Sequence, residues 1–179
     1  MKSPVKRDCE RDNTMSVNKI FTLVFLKKNS EVLLGYKTRG LGRGLWNGFG
    51  GKVEKNETIA NCAKRELEEE CSLVAKDLKH IGVVRYDLPY ENSADIVHIF
   101  TCSQYDGCEK ASEEMDPIQW YDFSAIPYAK MWPDSPQWYP LMLKEKFFAA
   151  RVTYSDPDTI TDTKIEEFED LASALKVAN

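Results

Sequence analysis

The chain has 179 residues, of which 42% are hydrophobic and 11% aromatic, so it can bury the core of one domain and is not globally disordered. Its formal net charge of −5 argues against the basic surface that non-specific nucleic-acid binding usually needs. No apolar run approaches the roughly 20 residues that span a bilayer. We therefore expect neither nucleic acid nor a membrane as a partner.

The N-terminal part of the sequence divides into a polar extension and a first pair of strands. Residues 1–18 lack the apolar stretch of a secretory signal, and we predict a flexible extension there, followed by one domain over residues 19–179. Residues 20–26 are a β-rich run, and a second run follows the turn-like sequence Lys27-Lys28-Asn29-Ser30 at residues 31–36. This pattern predicts a β-hairpin.

A glycine-dense segment, residues 39–51 (the glycine loop), precedes the first predicted helix. It contains six glycines, which permit close backbone approach, and no Gly-Lys-Ser or Gly-Lys-Thr follows, so it is not a Walker loop. Residues 58–71 then predict a helix. Thr58 is a suitable N-cap, and apolar residues recur at helical spacing from Ile59 to Cys71.

The rest of the chain predicts short strands and two more helices. Strands at several positions with few helices between them favour an α/β or α+β fold around a mixed sheet. The predicted strands are residues 81–86, 96–102, 118–123 and 152–154, the polar loop is 104–114, and the helices are 140–148 and an acidic, amphipathic segment from Thr163 onwards.

The cysteines indicate a reducing compartment. There are five, without a Cys-x-x-Cys pair, and an odd number cannot pair completely within one chain. Free thiols are the expected state, and only two histidines, His80 and His98, are present to build a zinc site. We expect a cytoplasmic monomer, with the nucleus and the mitochondrion as alternative compartments.

Three glutamates on the first predicted helix are candidates for metal binding. Glu66, Glu69 and Glu70 lie at i, i+3 and i+4, which places them on one helix face. Taken alone, this pattern is typical of a solvated face with Lys64 and Arg65 as ion-pair partners. Carboxylates so close together are also the oxygen ligands that Mg²⁺ prefers and bridges to phosphates.

A longer pattern of fixed spacing decides between these two interpretations. The glutamates stand at defined distances from a glycine and a glutamate upstream, and from an arginine beside them. The order is Gly51, five residues, Glu57, seven residues, Arg65-Glu66-Leu67, one residue, Glu69-Glu70, one residue and then Ser72-Leu73.

This spacing resembles the signature of the Nudix hydrolases, and only Ser72 departs from it, where the family has glycine. Glycine there would ease a left-handed conformation at the helix end. The resemblance implies a Nudix fold, with a mixed β-sheet sandwiched between helices, and a hydrolase that depends on Mg²⁺ or Mn²⁺. It implies catalytic or metal-binding roles for Gly50 (through its carbonyl), Glu57, Arg65, Glu66, Glu69 and Glu70, with Arg65 orienting the glutamates and pairing with Glu57.

Segments outside the signature resemble one branch of that family, the animal enzymes that act on oxidised purine nucleoside triphosphates. The similarity covers residues 19–160. It implies hydrolysis of substrates such as 8-oxo-dGTP and 2-hydroxy-dATP to the monophosphate and pyrophosphate, which removes oxidised nucleotides from the precursor pool. The matching segments include Phe21-Thr22-Leu23-Val24, Trp46-Asn47-Gly48-Phe49-Gly50-Gly51-Lys52-Val53 and Met131-Trp132-Pro133-Asp134.

The same resemblance implies a substrate pocket. Asn47 and Asp134 would hydrogen-bond to the edge of the purine, and Trp132 would stack on its ring. Glu114 would add a carboxylate beside the metal. The other implied substrate contacts are Thr22, Lys37, Phe49, Gly50, Gly51, Lys52, Tyr86, Pro133 and Ser135.

Three positions depart from the branch. Ser135 stands where the branch has a second consecutive aspartate, and Leu41 and Leu88 replace aromatic residues. Two neighbouring carboxyls can hold different protonation states, so one donates while the other accepts. A serine hydroxyl donates or accepts but carries no charge. We therefore expect a looser pocket with an altered preference among oxidised purines.

Other interpretations stay open on sequence alone. The glutamates handle only the diphosphate, so a different Nudix substrate, such as an mRNA cap, a dinucleotide polyphosphate or a nucleotide sugar, fits them equally. A catalytically silent binding module is disfavoured because every glutamate of the signature is present. The general base is open too, between the helix glutamates and a carboxylate outside the helix.

Overall fold

The computed structural model describes residues 16–178, so residues 1–15 and the prediction of a flexible extension over them lie outside the described part of the chain. The first strand begins at Ser16, three residues before the predicted start of the domain. The strands are β1 (Ser16–Lys28), β2 (Glu31–Lys37), β3 (Trp46–Asn47), β4 (Leu73–Ala75), β5 (Lys79–Leu88), β6 (Ser93–Cys102), β7 (Tyr105–Gly107), β8 (Met115–Asp122), β9 (Phe147–Asp156) and β10 (Thr159–Phe168); the helices are α1 (Ile59–Cys71), α2 (Ser135–Leu143) and α3 (Leu171–Ala178).

Eight of the strands form one mixed sheet. Its order is β10-β9-β5-β6-β1-β2-β3, with β8 also paired to β2. The β1–β6 and β5–β9 pairs are parallel, and the other pairs of this sheet are antiparallel. A separate pair, β4 and β7, lies beside it, and β7 falls within the predicted polar loop.

Helices cover both faces of the sheet, which confirms the predicted α/β sandwich. On one face, Leu67 of α1 is fully buried in a cluster with Phe49, and Ala174 of α3 is fully buried in a cluster with Val83. On the opposite face, Trp138 of α2 belongs to the largest core cluster. Burying a large apolar side chain contributes about 1.5–3 kcal/mol, so these contacts fix the helices on the sheet.

A wedge-like segment separates β1 from β2. The two strands pair only near their turn, from Leu26 opposite Leu33 to Lys28 opposite Glu31. Further along, residues 46–52 (the wedge segment) lie between them: β3 pairs with β2, and the amide and carbonyl of Phe49 bond to Val24 of β1 at 2.9 and 2.7 Å. This divergence opens a cleft between the strands.

The C-terminal predictions need two corrections. The helix predicted at residues 140–148 lies earlier, at Ser135–Leu143, because a proline in its first turn favours helix initiation there. Residues from Phe147 belong to strand β9, in which buried and less buried positions alternate from Ala150 to Tyr154. The helix predicted from Thr163 is strand β10 up to Phe168. Only the short α3 follows, where Asp170 accepts a bond of 2.8 Å from the amide of Ser173.

The structure records the state of the described cysteines and the character of the described helices. Cys62, Cys71, Cys102 and Cys108 are free thiols, as expected, and Cys9 lies outside the described residues. Among residues 16–178, no helix combines the length and apolar character needed to cross a membrane.

Candidate active site

The cleft beside the wedge segment has a volume of about 810 Å³ and brings together most of the predicted site residues. One end is lined by charged side chains of α1 and β2, and the other by aromatic side chains from β5, α2 and β9. The predicted residues that line it are Thr22, Lys37, Asn47, Gly50, Gly51, Lys52, Arg65, Glu66, Glu69, Tyr86, Glu114, Trp132 and Ser135.

Arg65 organises the charged end. Its guanidinium donates to both carboxylate oxygens of Glu57, at 2.8 and 3.0 Å, and to Glu66 and Glu69 at 2.7 and 3.3 Å. The hydrogen bond from Arg65 lowers the pKa of Glu57 to about 2. The predicted Arg65–Glu57 pair is therefore present, and it fixes the guanidinium where it can orient two further glutamates.

Glu70 is the most buried carboxylate of this end, with 4% of its surface exposed. Its two oxygens accept bonds from the Lys37 ammonium at 2.9 Å and from the Gly50 amide at 2.8 Å. The same ammonium lies 2.5 Å from a carboxylate oxygen of Glu114. Burial raises the pKa of Glu70 to about 7 and also raises the pKa of Glu66, because charge is costly away from water.

Two glycines allow the wedge segment to approach this helix so closely. A Cβ atom on Gly51 would lie 2.5 Å from a carboxylate oxygen of Glu66, and one on Gly50 would lie 2.0 Å from the carbonyl oxygen of Thr22. Both distances are far below contact distance. Any side chain at these positions would push the wedge segment away from α1 or from β1.

The oxygen atoms at the charged end are of the type that a hard divalent cation binds, but the carboxylates among them form ion pairs with Arg65 and Lys37. Carboxylate and carbonyl oxygens are the ligands that Mg²⁺ and Mn²⁺ accept. Within residues 16–178, however, no three His, Cys, Asp or Glu side chains are arranged as a ready metal cluster. Arg65 is instead paired with Glu66 and Glu69, and Lys37 with Glu70 and Glu114.

At the aromatic end, Asn47 presents its amide group to the cleft. Its side-chain oxygen accepts bonds from the Gly48 amide at 2.9 Å and from the Tyr139 hydroxyl at 3.2 Å. In the described part of the chain, no acceptor bonds to the amide nitrogen, so this nitrogen is the group available to a ligand. Trp132 and Tyr86 supply ring surface to the same end.

Asp134 lies behind the wall of the cleft. It is fully buried, and one carboxylate oxygen accepts bonds from the Tyr86 hydroxyl and the Trp138 indole, each at 2.8 Å. The Tyr154 hydroxyl lies 3.5 Å from the other oxygen. Ser135 lines the cleft instead. Direct contact of Asp134 with a purine stays a prediction, since its carboxylate is fully buried and does not line the cleft.

Two further predicted contacts are placed elsewhere. Phe49 is fully buried in the core under α1, because its backbone bonds to Val24 turn the side chain away from the cleft. Pro133 is exposed and does not line the cleft. The structure therefore corrects the predicted contact of the Phe49 side chain, which lies in the core.

The aromatic side chains of the cleft include several that the sequence did not predict as site residues, among them two that contact Asp134. Trp138 and Tyr154 both line the cleft and both donate toward Asp134. Trp138 lies four residues after Asp134, a helical spacing that the misplaced second helix concealed. Tyr154 continues the buried alternation of Ala150 and Val152 on β9, which a period of two could have indicated.

Comparison with known proteins identifies the class. Residues 18–142 match the NUDIX domain model, so the chain belongs to the Nudix family, which confirms the predicted family and fold. The chain is 43% identical over 157 residues to the oxidized purine nucleoside triphosphate hydrolase of Danio rerio, covering 88% of this chain and all of that protein. It is 41% identical over 155 residues to the mouse protein of the same name, covering 87% of this chain and 99% of the relative.

A solved structure shares the fold at low sequence identity. The mMutator MutT protein from Bacillus halodurans superposes with a TM-score of 0.73 at 20% identity, covering 83% of this chain and 98% of that chain. At this identity the likeness concerns the fold alone. The fold is thus shared well beyond the proteins with similar sequences.

Proposed function

We propose that the protein hydrolyses oxidised purine nucleoside triphosphates, such as 8-oxo-dGTP and 2-hydroxy-dATP, to the monophosphate and pyrophosphate. The observation that carries this proposal is the cleft, in which carboxylates of α1 adjoin a region lined by aromatic side chains. Two relatives with more than 40% identity over nearly their whole length carry that activity in their names. We further propose that the chain acts as a monomer, because one chain supplies both ends of the cleft. We propose the cytoplasm as its compartment, because free thiols are typical of reducing compartments.

The charged end would handle the triphosphate. We assign metal binding to Glu66, Glu69, Glu70 and the carbonyl of Gly50, with Glu114 beside them. When bound, Mg²⁺ or Mn²⁺ neutralises phosphate charge and lowers the pKa of water. Arg65 orients the glutamates, and Glu57 holds Arg65 in place. Glu69, whose side chain is 60% exposed, is the least constrained carboxylate and is our choice to take the proton of the attacking water.

The aromatic end would select the base. Trp132 and Tyr86 offer ring surfaces for stacking, and the Asn47 amide donates to an acceptor on the purine edge. The Ser135 hydroxyl both donates and accepts. Asp134 acts as a positioning residue here, since it fixes Tyr86 and Trp138 through hydrogen bonds.

A substrate panel with Mg²⁺ tests the proposal. It should include 8-oxo-dGTP, 2-hydroxy-dATP, their unoxidised parents, ADP-ribose, a dinucleoside polyphosphate and a cap analogue, with products identified by mass. We expect kcat/KM for the oxidised purines to exceed that for dGTP by about tenfold or more. Equal hydrolysis of dGTP and 8-oxo-dGTP would show the sanitising role to be wrong, and preference for a capped or sugar-linked substrate would favour another Nudix activity.

A further inference from the structure

We propose that Lys37 is an internal cation of the metal site: it holds the carboxylates together in the metal-free protein and is displaced when a divalent metal ion binds. This inference rests on the proposed metal-binding role of Glu70 and Glu114. In this proposal, the Lys37 ammonium competes with the metal ion for the carboxylates of Glu70 and Glu114.

The contacts of Lys37 place its charge between the carboxylates. Its ammonium lies 2.9 Å from an oxygen of Glu70 and 2.5 Å from an oxygen of Glu114, and its side chain is only 12% exposed. These partners belong to different parts of the fold, since Lys37 ends β2, Glu70 lies on α1 and Glu114 immediately precedes β8. One ammonium therefore links three segments around the acidic end of the cleft.

The same oxygens cannot serve the lysine and a metal ion equally. A dication bound to Glu70 or Glu114 would stand within a few ångströms of the ammonium, and like charges at that distance repel strongly in a partly buried site. One of the two cations must move. Binding of the metal and contact of Lys37 with these carboxylates are thus expected to be mutually unfavourable.

Lys37 rather than Arg65 is suited to move. Arg65 is fixed by two bonds to Glu57, which is outside the proposed metal ligands. Lys37 has no such second anchor among the described residues: its ammonium contacts are the two carboxylates. Its backbone, however, is held by bonds to Leu45 and Gly44 at 2.9 and 2.8 Å, so a compact charge on a flexible stem can swing from a fixed point.

The displaced ammonium would remain in the cleft that receives the triphosphate, because Lys37 lines that cleft. Metal binding would in this way transfer a positive charge from the enzyme's own carboxylates to the substrate's phosphates. The lysine then acts as a positioning residue in the metal-free state and as an anion-binding residue after metal has bound.

Mn²⁺ affinity, measured by electron paramagnetic resonance without nucleotide, tests the proposal in the wild type, Lys37→Met and Lys64→Met. Lys64 lies on the same helix as the glutamates, is exposed and serves as the matched loss of one charge. We expect Lys37→Met to bind Mn²⁺ tighter by about tenfold or more and to unfold at a lower temperature without metal, with the loss reversed by Mn²⁺. Lys64→Met should match the wild type in both.

The outcomes distinguish failure of the proposed Lys37 role from failure of the proposed metal site. Equal or weaker Mn²⁺ binding by Lys37→Met, with normal binding by the wild type, would overturn the role of Lys37 alone. Absence of Mn²⁺ binding by the wild type would instead overturn the metal site itself.

A measurement on the wild type covers the case in which Lys37→Met fails to fold. Lysine side chains labelled at the ε-carbon can be followed by NMR during a Mg²⁺ titration. The Lys37 signal should shift with the same midpoint as metal binding, while the Lys64 signal stays in place. An unchanged Lys37 signal at saturating Mg²⁺ would contradict displacement.

Discussion

Ser72 stands where the family signature has glycine. It closes α1 in a left-handed conformation, with φ of 61° and ψ of 25°, and its amide bonds to the Glu68 carbonyl. Residues with a side chain adopt this conformation at a cost of about 1–2 kcal/mol, which glycine avoids. The chain therefore keeps the backbone geometry of the signature without its glycine.

We predict that Ser72→Gly stabilises the protein by about 0.5–1 kcal/mol, because it relieves this conformation at the end of α1. Urea unfolding of the metal-free protein measures the difference. Ser103→Gly, at an exposed position whose φ is not positive, is the control and should be neutral or slightly destabilising. If Ser72→Gly destabilises as well, the strain assigned to Ser72 is absent.

Glu70 is the carboxylate whose loss should matter most for turnover. We predict that Glu70→Gln lowers kcat by about 100-fold or more, since an amide has one oxygen and no charge to offer a metal, while circular dichroism shows an unchanged fold. Glu68→Gln, an exposed neighbour on the same helix, should retain normal turnover. Near-normal turnover of Glu70→Gln would refute the metal assignment.

Ser135 should influence which base is accepted. We predict that Ser135→Asp changes the ratio of kcat/KM for 2-hydroxy-dATP to that for 8-oxo-dGTP by about tenfold in favour of the adenine substrate, because it restores a second carboxyl at the pocket. Ser135→Ala removes the hydroxyl without adding charge and should not produce this change. The same ratio in all three proteins would mean that Ser135 does not contact the base.

At the scale of elements, β5 and β6 are joined by a pair of histidines. His80 and His98 share a hydrogen bond of 3.1 Å between ring nitrogens, and His80 stacks on Phe100 at 4.5 Å. Burial, followed by the charge of His98, lowers the pKa of His80 to about 4, and burial lowers the pKa of His98. Both rings are therefore neutral in the folded protein at neutral pH.

This pair predicts a loss of stability in mild acid. The unfolded chain takes up protons below a pKa of about 6.5, whereas folded His80 resists them until about 4, so the free energy of unfolding falls as the pH drops through that window. We expect His80→Gln to lose less stability than the wild type between pH 7.5 and pH 5, measured by urea unfolding at each pH. Parallel losses in the two proteins would contradict this.

The elements also show which parts of the fold were accessible from sequence. The helix α1 was predicted because its N-cap and apolar spacing are local signals, and Thr58 indeed accepts a bond from the Asn61 amide at 3.2 Å. The sequence of strand β10 resembles that of a helix because Ile165 and Phe168 fit helical spacing. Its strand conformation depends on pairing with β9, which is a tertiary interaction.

The candidate site also contains residues that local sequence patterns predict and residues that only the tertiary structure brings together. The glutamates and Arg65 follow from a fixed spacing within one helix and its approach loop. The wall formed by Tyr86, Trp138 and Tyr154 around Asp134 joins β5, α2 and β9, and no local pattern links these positions. Spacing along the chain therefore predicts the chemistry more completely than the shape of the base pocket.

At the scale of the whole molecule, the divergence of β1 and β2 makes room for two segments that are fixed to different degrees: the wedge segment and the tip of the glycine loop. The wedge segment is bonded to β1 on one side and to β2 on the other, and it positions Gly50 and Gly51 against α1. The preceding part of the glycine loop is bonded near its base: the Lys37 backbone bonds to Leu45 and Gly44, and Arg39 pairs with Glu113 and Glu114. At its tip, Leu41 is 72% exposed at the mouth of the cleft.

This arrangement lets selection act on the entrance of the cleft and on its charged end independently. Changes of length or sequence at the loop tip would reshape the entrance without altering strand register or the distances among the glutamates. A lineage could thus acquire a new substrate range through a few mutations around Leu41 while inheriting its hydrolytic chemistry intact.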